Sequence, residues 1–429
     1  MRILSTRASR FDTSFNAFCR RAETSPALRR SVEKILAAVK SRGDRAVSDL
    51  LERFDGVRLK PREFRLDSAE LEAGFRRLAP VDRHAMRDAL RNIKSFNRVT
   101  LPRNWSGRNS HRARTGERFY PLSRVGIYIP RGLVSTVLMT CGLARLARVP
   151  EIAVFTPCGA DGVVTDGVLG ALHLVGITEA YRIGGVPAVG AMAYGTRSIP
   201  SVVKVFGPGN AFVVEAKRQV FGTIGVDLLP GPSEVMIIAD ETSDPATVAS
   251  DLLAQAEHGS GQERVFLVSP SRKLIDRVHA AIGVQIRSLR RIEAISQVLK
   301  NGFLSVETRD LDEAATLAER VAPEHLELPL PGPEARRLLN KITTAGAVMV
   351  GHWSATALGD FVAGPSHELP TGGAGRYTSG LQVSDFMRRS SVIEYSRSSL
   401  QRGAAAVASF GALEELDGHG RSVEARLAR

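Results

Sequence analysis

The stretch Val125-Gly-Ile-Tyr-Ile-Pro130 is a short apolar run that ends at a proline, and it predicts a buried β-strand. Similar runs recur along the chain. They are Ile152–Phe155, Val202–Phe206, Val235–Asp240, Val265–Val268 and Gly346–Val350. Between them lie stretches with helical apolar spacing, namely Gly167–Leu174, Val189–Tyr194 and a helix from Ser271. Strands that alternate with helices predict an α/β fold in which crossover helices cover parallel sheets.

The pattern divides the chain into four parts. Residues 120–235 and 236–380 are predicted to form two Rossmann-like α/β units with parallel sheets. Residues 1–115 are predicted to be an N-terminal helical region, and Pro102–Gly116 is polar enough to predict an irregular linker. The last part, 384–429, is predicted to be a helical tail.

Composition excludes several classes of protein. The chain has 429 residues, of which 43% are hydrophobic and 24% charged, so it is neither disordered nor fibrous. No apolar run is long enough for a membrane span, and the first residues have no secretory apolar segment. Cys19, Cys141 and Cys158 are an odd number without a CxxC pair, which favours reduced thiols and a cytoplasmic location. We therefore expect no membrane association.

The net charge of +13 has two interpretations. One is attraction to nucleic acid, and the other is basic residues spread over surface helices that attract an anionic substrate or cofactor. The basic segments contain acidic residues and no interleaved aromatic residues. The second interpretation is favoured, and no nucleic-acid partner is expected.

The first unit contains one glycine-rich turn. The sequence has neither a complete GxGxxG nor a Walker A loop. Gly207-Pro-Gly-Asn210 follows a predicted strand and precedes a predicted helix, where backbone N–H groups can meet a phosphate. By itself this pattern also fits an ordinary tight turn.

Two groups of polar residues suggest chemistry in the second half. Gln255 and His258 are three residues apart at the end of a predicted helix and share one face. With Asp360 and His419 they form a nitrogen and oxygen set that zinc accepts, although spacing alone does not show that they converge. The chain end that holds His419 also holds Glu414.

The second group is Glu324 and His325. An extended backbone would point them to opposite faces, whereas a turn would let both approach one substrate. Two acid–base groups of different pKa suit a reaction with two proton transfers. The Gly- and Pro-rich segment 359–373, which contains His367, is predicted to be a loop that serves a site.

Several of these segments together resemble the histidinol dehydrogenase family over nearly the whole chain. The most specific pieces are Phe206-Gly-Pro-Gly-Asn-Ala-Phe-Val-Val-Glu-Ala-Lys-Arg-Gln-Val220, Gly231-Pro-Ser-Glu-Val235, Gln255-Ala-Glu-His-Gly259, Pro323-Glu-His-Leu326, Leu358-Gly-Asp360 and His367-Glu-Leu-Pro-Thr371. The resemblance implies a zinc-dependent homodimer that oxidises L-histidinol to L-histidine through an aldehyde, with two NAD⁺, in the last step of histidine biosynthesis.

The resemblance also implies roles for single residues. The implied zinc ligands, one ion per subunit, are Gln255, His258, Asp360 and His419, and the implied catalytic pair is Glu324 and His325. The implied substrate contacts are Ser233, His367 and Glu414, together with the zinc ligands and His325. The implied NAD contacts are Tyr128 and Asn210. The tail is implied to cross to the partner, so that each site takes Glu414 and His419 from the neighbouring subunit.

Three departures from the family pattern concern the cofactor and the metal loop. Pro187 stands where the family usually has Gln and cannot donate the same hydrogen bonds. The loop Pro130–Ser135 is shorter than the family's, although Arg131 offers a charge for pyrophosphate. Phe361 stands where Tyr is common. The preference between NAD and NADP therefore stays open.

Two alternatives to this function stay open as well. A paralogue could oxidise another amino alcohol or a diol with the same zinc and Glu–His machinery. A non-catalytic relative that binds metal or nucleic acid would explain Pro187 and the charge, but it does not explain why every candidate ligand and both acid–base residues are present.

Overall fold

The structure is a computed structural model that describes residues 1–20, 25–258 and 261–428. The strands in this part of the chain are β1 (Arg2–Ser5), β2 (Arg65–Leu66), β3 (Trp105–Arg108), β4 (Arg114–Pro121), β5 (Arg124–Tyr128), β6 (Glu151–Phe155), β7 (Glu179–Tyr181), β8 (Lys204–Phe206), β9 (Gly225–Val226), β10 (Glu234–Ile238), β11 (Arg264–Ser269), β12 (Phe303–Glu307), β13 (His325–Leu328), β14 (Ala347–Val350) and β15 (Met387–Glu394).

Helices of the described chain cover the faces of the sheets and form both ends of the molecule. They are α1 (Phe11–Cys19), α2 (Pro26–Arg42), α3 (Asp44–Asp55), α4 (Ser68–Arg77), α5 (Pro80–Val99), α6 (Val134–Leu146), α7 (Asp166–Val175), α8 (Gly185–Tyr194), α9 (Ala211–Val220), α10 (Pro245–Ala256), α11 (Arg272–Gln285), α12 (Ile292–Asn301), α13 (Leu311–Val321), α14 (Gly332–Leu339), α15 (Thr356–Phe361), α16 (Arg397–Leu413) and α17 (Asp417–Leu427). None of those described has the length and hydropathy that a bilayer crossing needs.

Two six-stranded sheets form the centre of the fold, which confirms the predicted α/β architecture. The first has the order β2-β7-β6-β5-β8-β9, and the second has the order β1-β12-β11-β10-β13-β14. All neighbouring strands run parallel except β2, which pairs antiparallel with β7. A smaller antiparallel sheet, β15-β4-β3, lies beside them.

The second sheet is covered on both faces, as parallel sheets require. Along β10, Met236 and Ile238 pack with α1, α13 and α14, whereas Val235 and Ile237 pack with α10, α11 and α12. On the neighbouring β13, Leu326 and Leu328 belong to the first of these clusters. Because side chains alternate along a strand, His325 and Glu327 lie on the α10 side of the sheet.

The N-terminal region does not form only helices. Arg2–Ser5 pairs parallel with β12, at the edge of the second sheet, and Phe15 and Phe18 of α1 pack on Phe266. Arg65–Leu66 extends the first sheet through β7. The first residues of the chain therefore complete the sheet that is formed by its second half, a long-range pairing that local sequence patterns do not indicate.

Two other segments differ from the sequence predictions. Residues 102–116 are not an irregular linker but contain β3 and the start of β4. The tail after residue 384 begins with strand β15, which pairs with β4 along its full length, and becomes helical only from Arg397. All four residues of β3 are exposed, and β15 is largely exposed too. Such strands show no apolar alternation, so periodicity could not reveal them.

Candidate active site

The candidate residues lie at different edges of the two sheets, at the carboxyl ends of the strands in the first unit and at the amino ends in the second. In the first unit the glycine-rich turn follows β8, and Tyr128 is the last residue of β5, so this unit offers its carboxyl edge. In the second unit the polar residues lie where β10 and β13 begin. A contact between the units joins these edges, since Thr136 of α6, the helix after β5, hydrogen-bonds His367 of the second unit. A candidate site thus lies between the carboxyl edge of the first sheet and the amino edge of the second.

His325 is the first residue of β13 and is 4% exposed. Its Nδ1 lies 3.2 Å from the Glu234 carbonyl oxygen, to which it donates because a carbonyl only accepts. Its Nε2 lies 3.3 Å from Asp360 Oδ1. Burial by itself lowers the pKa of His325, but the carboxylates of Glu324 and Asp360 outweigh it and raise that pKa to about 9. The ring is therefore held in one orientation, with Nδ1–H towards the carbonyl oxygen and Nε2 towards a carboxylate that stabilises the protonated form.

Glu324 precedes the strand and is 6% exposed. Its Oε2 accepts the backbone N–H of Glu234 at 2.8 Å and lies 3.8 Å from His325 Nδ1. Burial raises the pKa of Glu324 to about 8. Ala322, in the left-handed conformation at φ 52°, ends α13 and turns the chain into this position. The sequence left open whether a turn precedes the strand. The structure has one: the chain turns after α13, Glu324 lies just before the strand and His325 begins it, and their side chains approach to 3.8 Å.

The residues proposed as metal ligands come from α10 and α15. Gln255, in the last turn of α10, is 2% exposed, and within the described part of the chain neither Nε2 nor Oε1 of its amide has a hydrogen-bond partner. His258 follows the helix and is exposed, with its Nδ1 3.1 Å from the Gln255 carbonyl oxygen. Burial tends to raise the pKa of Asp360, but His325, His367 and His258 outweigh it and lower that pKa. Gly259, in the same motif, lies outside the described residues.

A buried amide with both polar atoms unsatisfied is costly and calls for a ligand. An amide oxygen, an imidazole and a carboxylate on adjoining elements suit zinc. Among residues 1–20, 25–258 and 261–428, no group of three or more His, Cys, Asp or Glu side chains gathers as a metal site. The described chain thus provides an incomplete donor set, which includes an amide, and the set fits zinc provided that a further ligand completes it.

His367 connects the two units. Its Nδ1 donates to the Asp360 carbonyl oxygen at 3.0 Å, and its Nε2 lies 3.1 Å from the Thr136 hydroxyl. Burial lowers the pKa of His367, so the neutral ring accepts from Thr136. Nε2 is also 3.6 Å from Oε1 of Glu368, a buried carboxyl that sequence reasoning missed. Asp360 itself lies in the short helix α15, not in a loop as the sequence predicted.

The remaining sequence-predicted substrate residues divide into two groups. Ser233 immediately precedes β10 and is partly buried, and its carbonyl oxygen accepts the Arg264 N–H at 3.0 Å. It therefore adjoins Glu234, whose backbone contacts both catalytic candidates. Glu414 and His419 are exposed near the junction of α16 and α17, and they are not among the buried side chains of the site.

The first unit presents the cofactor candidates along its carboxyl edge. Tyr128 is 5% exposed, and its hydroxyl oxygen accepts the Gly185 N–H at 3.2 Å. Asn210 is the N-cap of α9, and its Oδ1 accepts two backbone N–H groups at 3.0 and 3.2 Å. Only the Nδ2 group of Asn210 is therefore left for a ligand. Pro187 is buried in the first turn of α8, where its missing N–H costs no helical hydrogen bond.

A buried ion pair supports the glycine-rich turn and was also missed. Lys217 of α9 is fully buried, pairs with Asp227 and donates to the Gly207 carbonyl oxygen at 2.9 Å. Asp227 accepts the Gly207 N–H at 2.7 Å. The only sign of this pair in the sequence was a lysine on a helix that also has an apolar face. Such a lysine is usually interpreted as exposed to solvent. Gly207 has φ +105°, and a Cβ there would lie 2.0 Å from the Tyr128 carbonyl oxygen, so only glycine fits.

Comparison with known proteins gives one consistent result. The family model described as histidinol dehydrogenase matches residues 19–427. A histidinol dehydrogenase of Cereibacter sphaeroides is 40% identical, with 99% of this chain and 98% of that protein covered. One from Parasynechococcus marenigrum is 42% identical, over 92% of this chain and 90% of the relative. The crystal structure of histidinol dehydrogenase from Elizabethkingia anophelis superposes with a TM-score of 0.94 at 29% identity, over 100% of this chain and 98% of that one.

Proposed function

The chain belongs to the histidinol dehydrogenase family, an enzyme family of histidine biosynthesis, and on this basis we propose that it oxidises L-histidinol to L-histidine with zinc and two NAD⁺. The observation that supports the proposal most is the buried pair Glu324–His325, in which His325 Nε2 lies 3.3 Å from Asp360 Oδ1. A four-electron oxidation of an alcohol to an acid needs two hydride transfers, a water addition and a base for each.

The proposed zinc ligands of this subunit are Gln255, His258 and Asp360. When bound, zinc supplies a Lewis-acidic centre that orients the amino and imidazole nitrogens of the substrate. NAD⁺ supplies the hydride acceptor, and we place it along the edge that contains Tyr128 and Asn210. Holding the substrate carbon and the acceptor together in a fixed geometry converts a bimolecular encounter into a positioned reaction.

We assign the proton transfers to two residues of this chain. The neutral form of His325, whose fraction grows as pH rises towards its pKa of about 9, takes the alcohol proton at Nε2 as hydride leaves the carbinol carbon, and Asp360 stabilises the imidazolium that forms. Glu324, held through Oε2 by the Glu234 N–H, removes a proton from the water that adds to the aldehyde. After His325 has released the first proton to water, it takes the hydroxyl proton of the hydrate during the second hydride transfer. Ser233 and His367 border this position and are proposed to contact the substrate.

The test of this function is a single stoichiometry. Purified protein with zinc, L-histidinol and NAD⁺ should form two NADH for each histidine. His258→Ala should lower zinc occupancy and activity together while the fold persists, because the exposed ring supports no core contact. Full occupancy with normal kinetics in that variant would remove His258 from the site. An inactive parent that oxidises other amino alcohols would instead favour the paralogue.

We further propose a homodimer in which each site takes Glu414 and His419 from the partner subunit. The support is the arm formed by α16 and α17, two helices that pack on each other. Phe410 and Leu413 of this arm are 63% and 77% exposed, an apolar surface that a second subunit would cover. Such an arm would bring His419 to the incomplete metal set. A cytoplasmic location and the lack of nucleic-acid binding stay predictions.

Complementation tests the shared site. His325→Ala and His419→Ala subunits, each inactive alone, are mixed and allowed to exchange. If His419 acts in the partner's site, half of the dimers are mixed and each has one intact site of two, so about a quarter of parent activity returns. A control mixture of His325→Ala with Glu324→Ala should stay inactive, because both defects lie in the same part of the subunit. No recovery despite demonstrated exchange would show that His419 serves its own chain.

A further inference from the structure

A buried carboxylate lies directly behind the candidate site. Glu327 of β13 is 2% exposed and shares a strand face with His325, two residues earlier. It accepts two hydrogen bonds from Thr356, one from the backbone N–H at 2.7 Å and one from the hydroxyl at 2.6 Å. Thr356 is the first residue of α15, whose last turn contains Asp360. Glu327 therefore holds the start of the helix that presents Asp360.

A second acid connects Glu327 to the other metal helix. Asp251 lies on α10, one turn before Gln255, and α10 packs against α15. Its carboxyl group hydrogen-bonds that of Glu327. Burial, together with the negative charge of Glu327, raises the pKa of Asp251 to about 8. Two carboxyl groups in contact cannot both be ionised without strong repulsion, so Asp251 and Glu327 share one proton in an O–H···O hydrogen bond, and Glu327 also accepts from Thr356.

We propose that Asp251 and Glu327 are positioning residues that fix the Asp360 helix against the Gln255–His258 helix and so set the spacing of the metal ligands. The proposal rests on the zinc site of the proposed function. The N-cap residue of α15, Ala355, offers no side-chain acceptor, so the six-residue helix depends on Glu327 for its first turn. The same carboxyl pair connects three elements, namely β13 with His325, α15 with Asp360 and α10 with Gln255.

The experiment measures zinc affinity of the full-length protein by competition with a chromogenic chelator, without substrate or NAD⁺. Asp251→Ala removes the donor and leaves Glu327 with two donors instead of three. It should weaken zinc binding by about 10–100-fold, the usual effect of losing a group that orients metal ligands. Asp251→Asn still donates an N–H to Glu327 and should bind zinc within about threefold of the parent. A purely structural role would not predict rescue by asparagine at equal thermal stability.

Two further variants keep the test decisive. Ser250→Ala, on the same helix, removes a hydroxyl that bonds Ala246 and Gln285 away from the site, and it should leave zinc affinity unchanged. If Asp251→Ala does not fold, Thr356→Val carries the test, because it removes one of the two Thr356 donors and should weaken zinc binding several-fold.

The outcomes separate this inference from the proposed function. Parent-like zinc affinity in folded Asp251→Ala, or in Thr356→Val where Asp251→Ala does not fold, overturns the positioning role. So does equal weakening in Asp251→Asn and Asp251→Ala. If the parent and His258→Ala bind zinc equally, the metal assignment of the proposed function fails, and the positioning role fails with it. A loss in Asp251→Ala that Asp251→Asn restores, beside a weakened His258→Ala, supports both.

Discussion

Replacing Glu324 by Gln should separate the two oxidations. The amide has nearly the same volume, and its oxygen can still accept the Glu234 N–H that Glu324 accepts at 2.8 Å. Below its pKa of about 8 the carboxyl is itself mostly neutral, so the folded state should lose about 1 kcal/mol or less on substitution by the amide. What the amide cannot do is remove a proton from water. General-base catalysis contributes about 10²–10⁴-fold, so oxidation of the aldehyde should fall by that factor, or about 3–5 kcal/mol of barrier.

The alcohol oxidation should change much less, by about tenfold at most, because His325 remains as its base. The assay follows NADH in single turnovers started either with L-histidinol or with the aldehyde, and a carbonyl reagent traps any aldehyde that accumulates. The variant should release aldehyde and stall there. Aldehyde oxidation at the parent rate would refute the assignment of Glu324 as the base for water.

The pH dependence gives a second test of the same residue. Burial raises the pKa of Glu324 to about 8, so its ionised fraction grows as pH rises through that value. Aldehyde oxidation by the parent should therefore increase towards alkaline pH, and Glu324→Gln should lose the part of the rise near pH 8 and keep only the part near pH 9 that comes from His325. Glu368→Gln is the matched control, because burial likewise raises the pKa of Glu368 to about 8. Any change in rate that Glu368→Gln causes should be the same for the alcohol and the aldehyde oxidation.

Three further predictions concern the first unit. Pro187→Gln should lower the apparent KM for NAD⁺ about two- to tenfold, since one polar contact contributes about 0.5–1.5 kcal/mol; an unchanged or higher value indicates a pocket rebuilt around proline. Glu179→Gln should cost about 1–3 kcal/mol in denaturation at pH 7, because it breaks a two-point contact with the buried Arg124. Burial raises the pKa of Glu179, but Arg124 and Tyr181 outweigh it and lower that pKa. The stability that the Glu179 carboxylate contributes is therefore present above about pH 4.5 and should shrink in acid. A difference in unfolding free energy between parent and variant that does not change with pH contradicts the argument. Gly207→Ala should lower the free energy of unfolding by about 2–4 kcal/mol, since its Cβ would lie 2.0 Å from the Tyr128 carbonyl oxygen. The control is Gly56→Ala, whose Cβ meets nothing within 4 Å and which should cost about 1 kcal/mol. Equal losses of stability in melting experiments would exclude the steric explanation.

Local patterns in the sequence determined the central strands and the helices that cover them. Val125–Pro130 and Val235–Asp240 are continuous apolar runs because parallel strands are buried on both faces. Asp244 followed by Pro245 is a local pattern typical of a helix start, and in the structure the Asp244 carboxylate accepts the Thr247 N–H at 2.9 Å. Signals of this kind depend on neighbouring residues alone, so they can be read without knowing the fold.

The resemblance to a family named the candidate site residues, but the sequence by itself could not bring them together. Glu234, His325 and Ala347 begin three adjacent strands only because the sheet has the order β10-β13-β14. This order determines that Glu324 accepts the Glu234 N–H and that His325 donates to the Glu234 carbonyl oxygen. Glu234 and Glu324 are 90 residues apart in the sequence and meet because their strands pair. Spacing along the chain does not reveal which strands pair.

Buried polar groups were the other part that only the tertiary structure decided. Lys217, Glu327 and Glu368 look like ordinary surface charges in the sequence, and all three are buried. The strands β3 and β15 show the reverse case, since their exposed faces lack the alternation that would predict them. Hydrophobic periodicity reports which residues leave water together. A buried charge is stabilised by partners that come from distant segments, so its position follows from the packed fold and not from the local pattern.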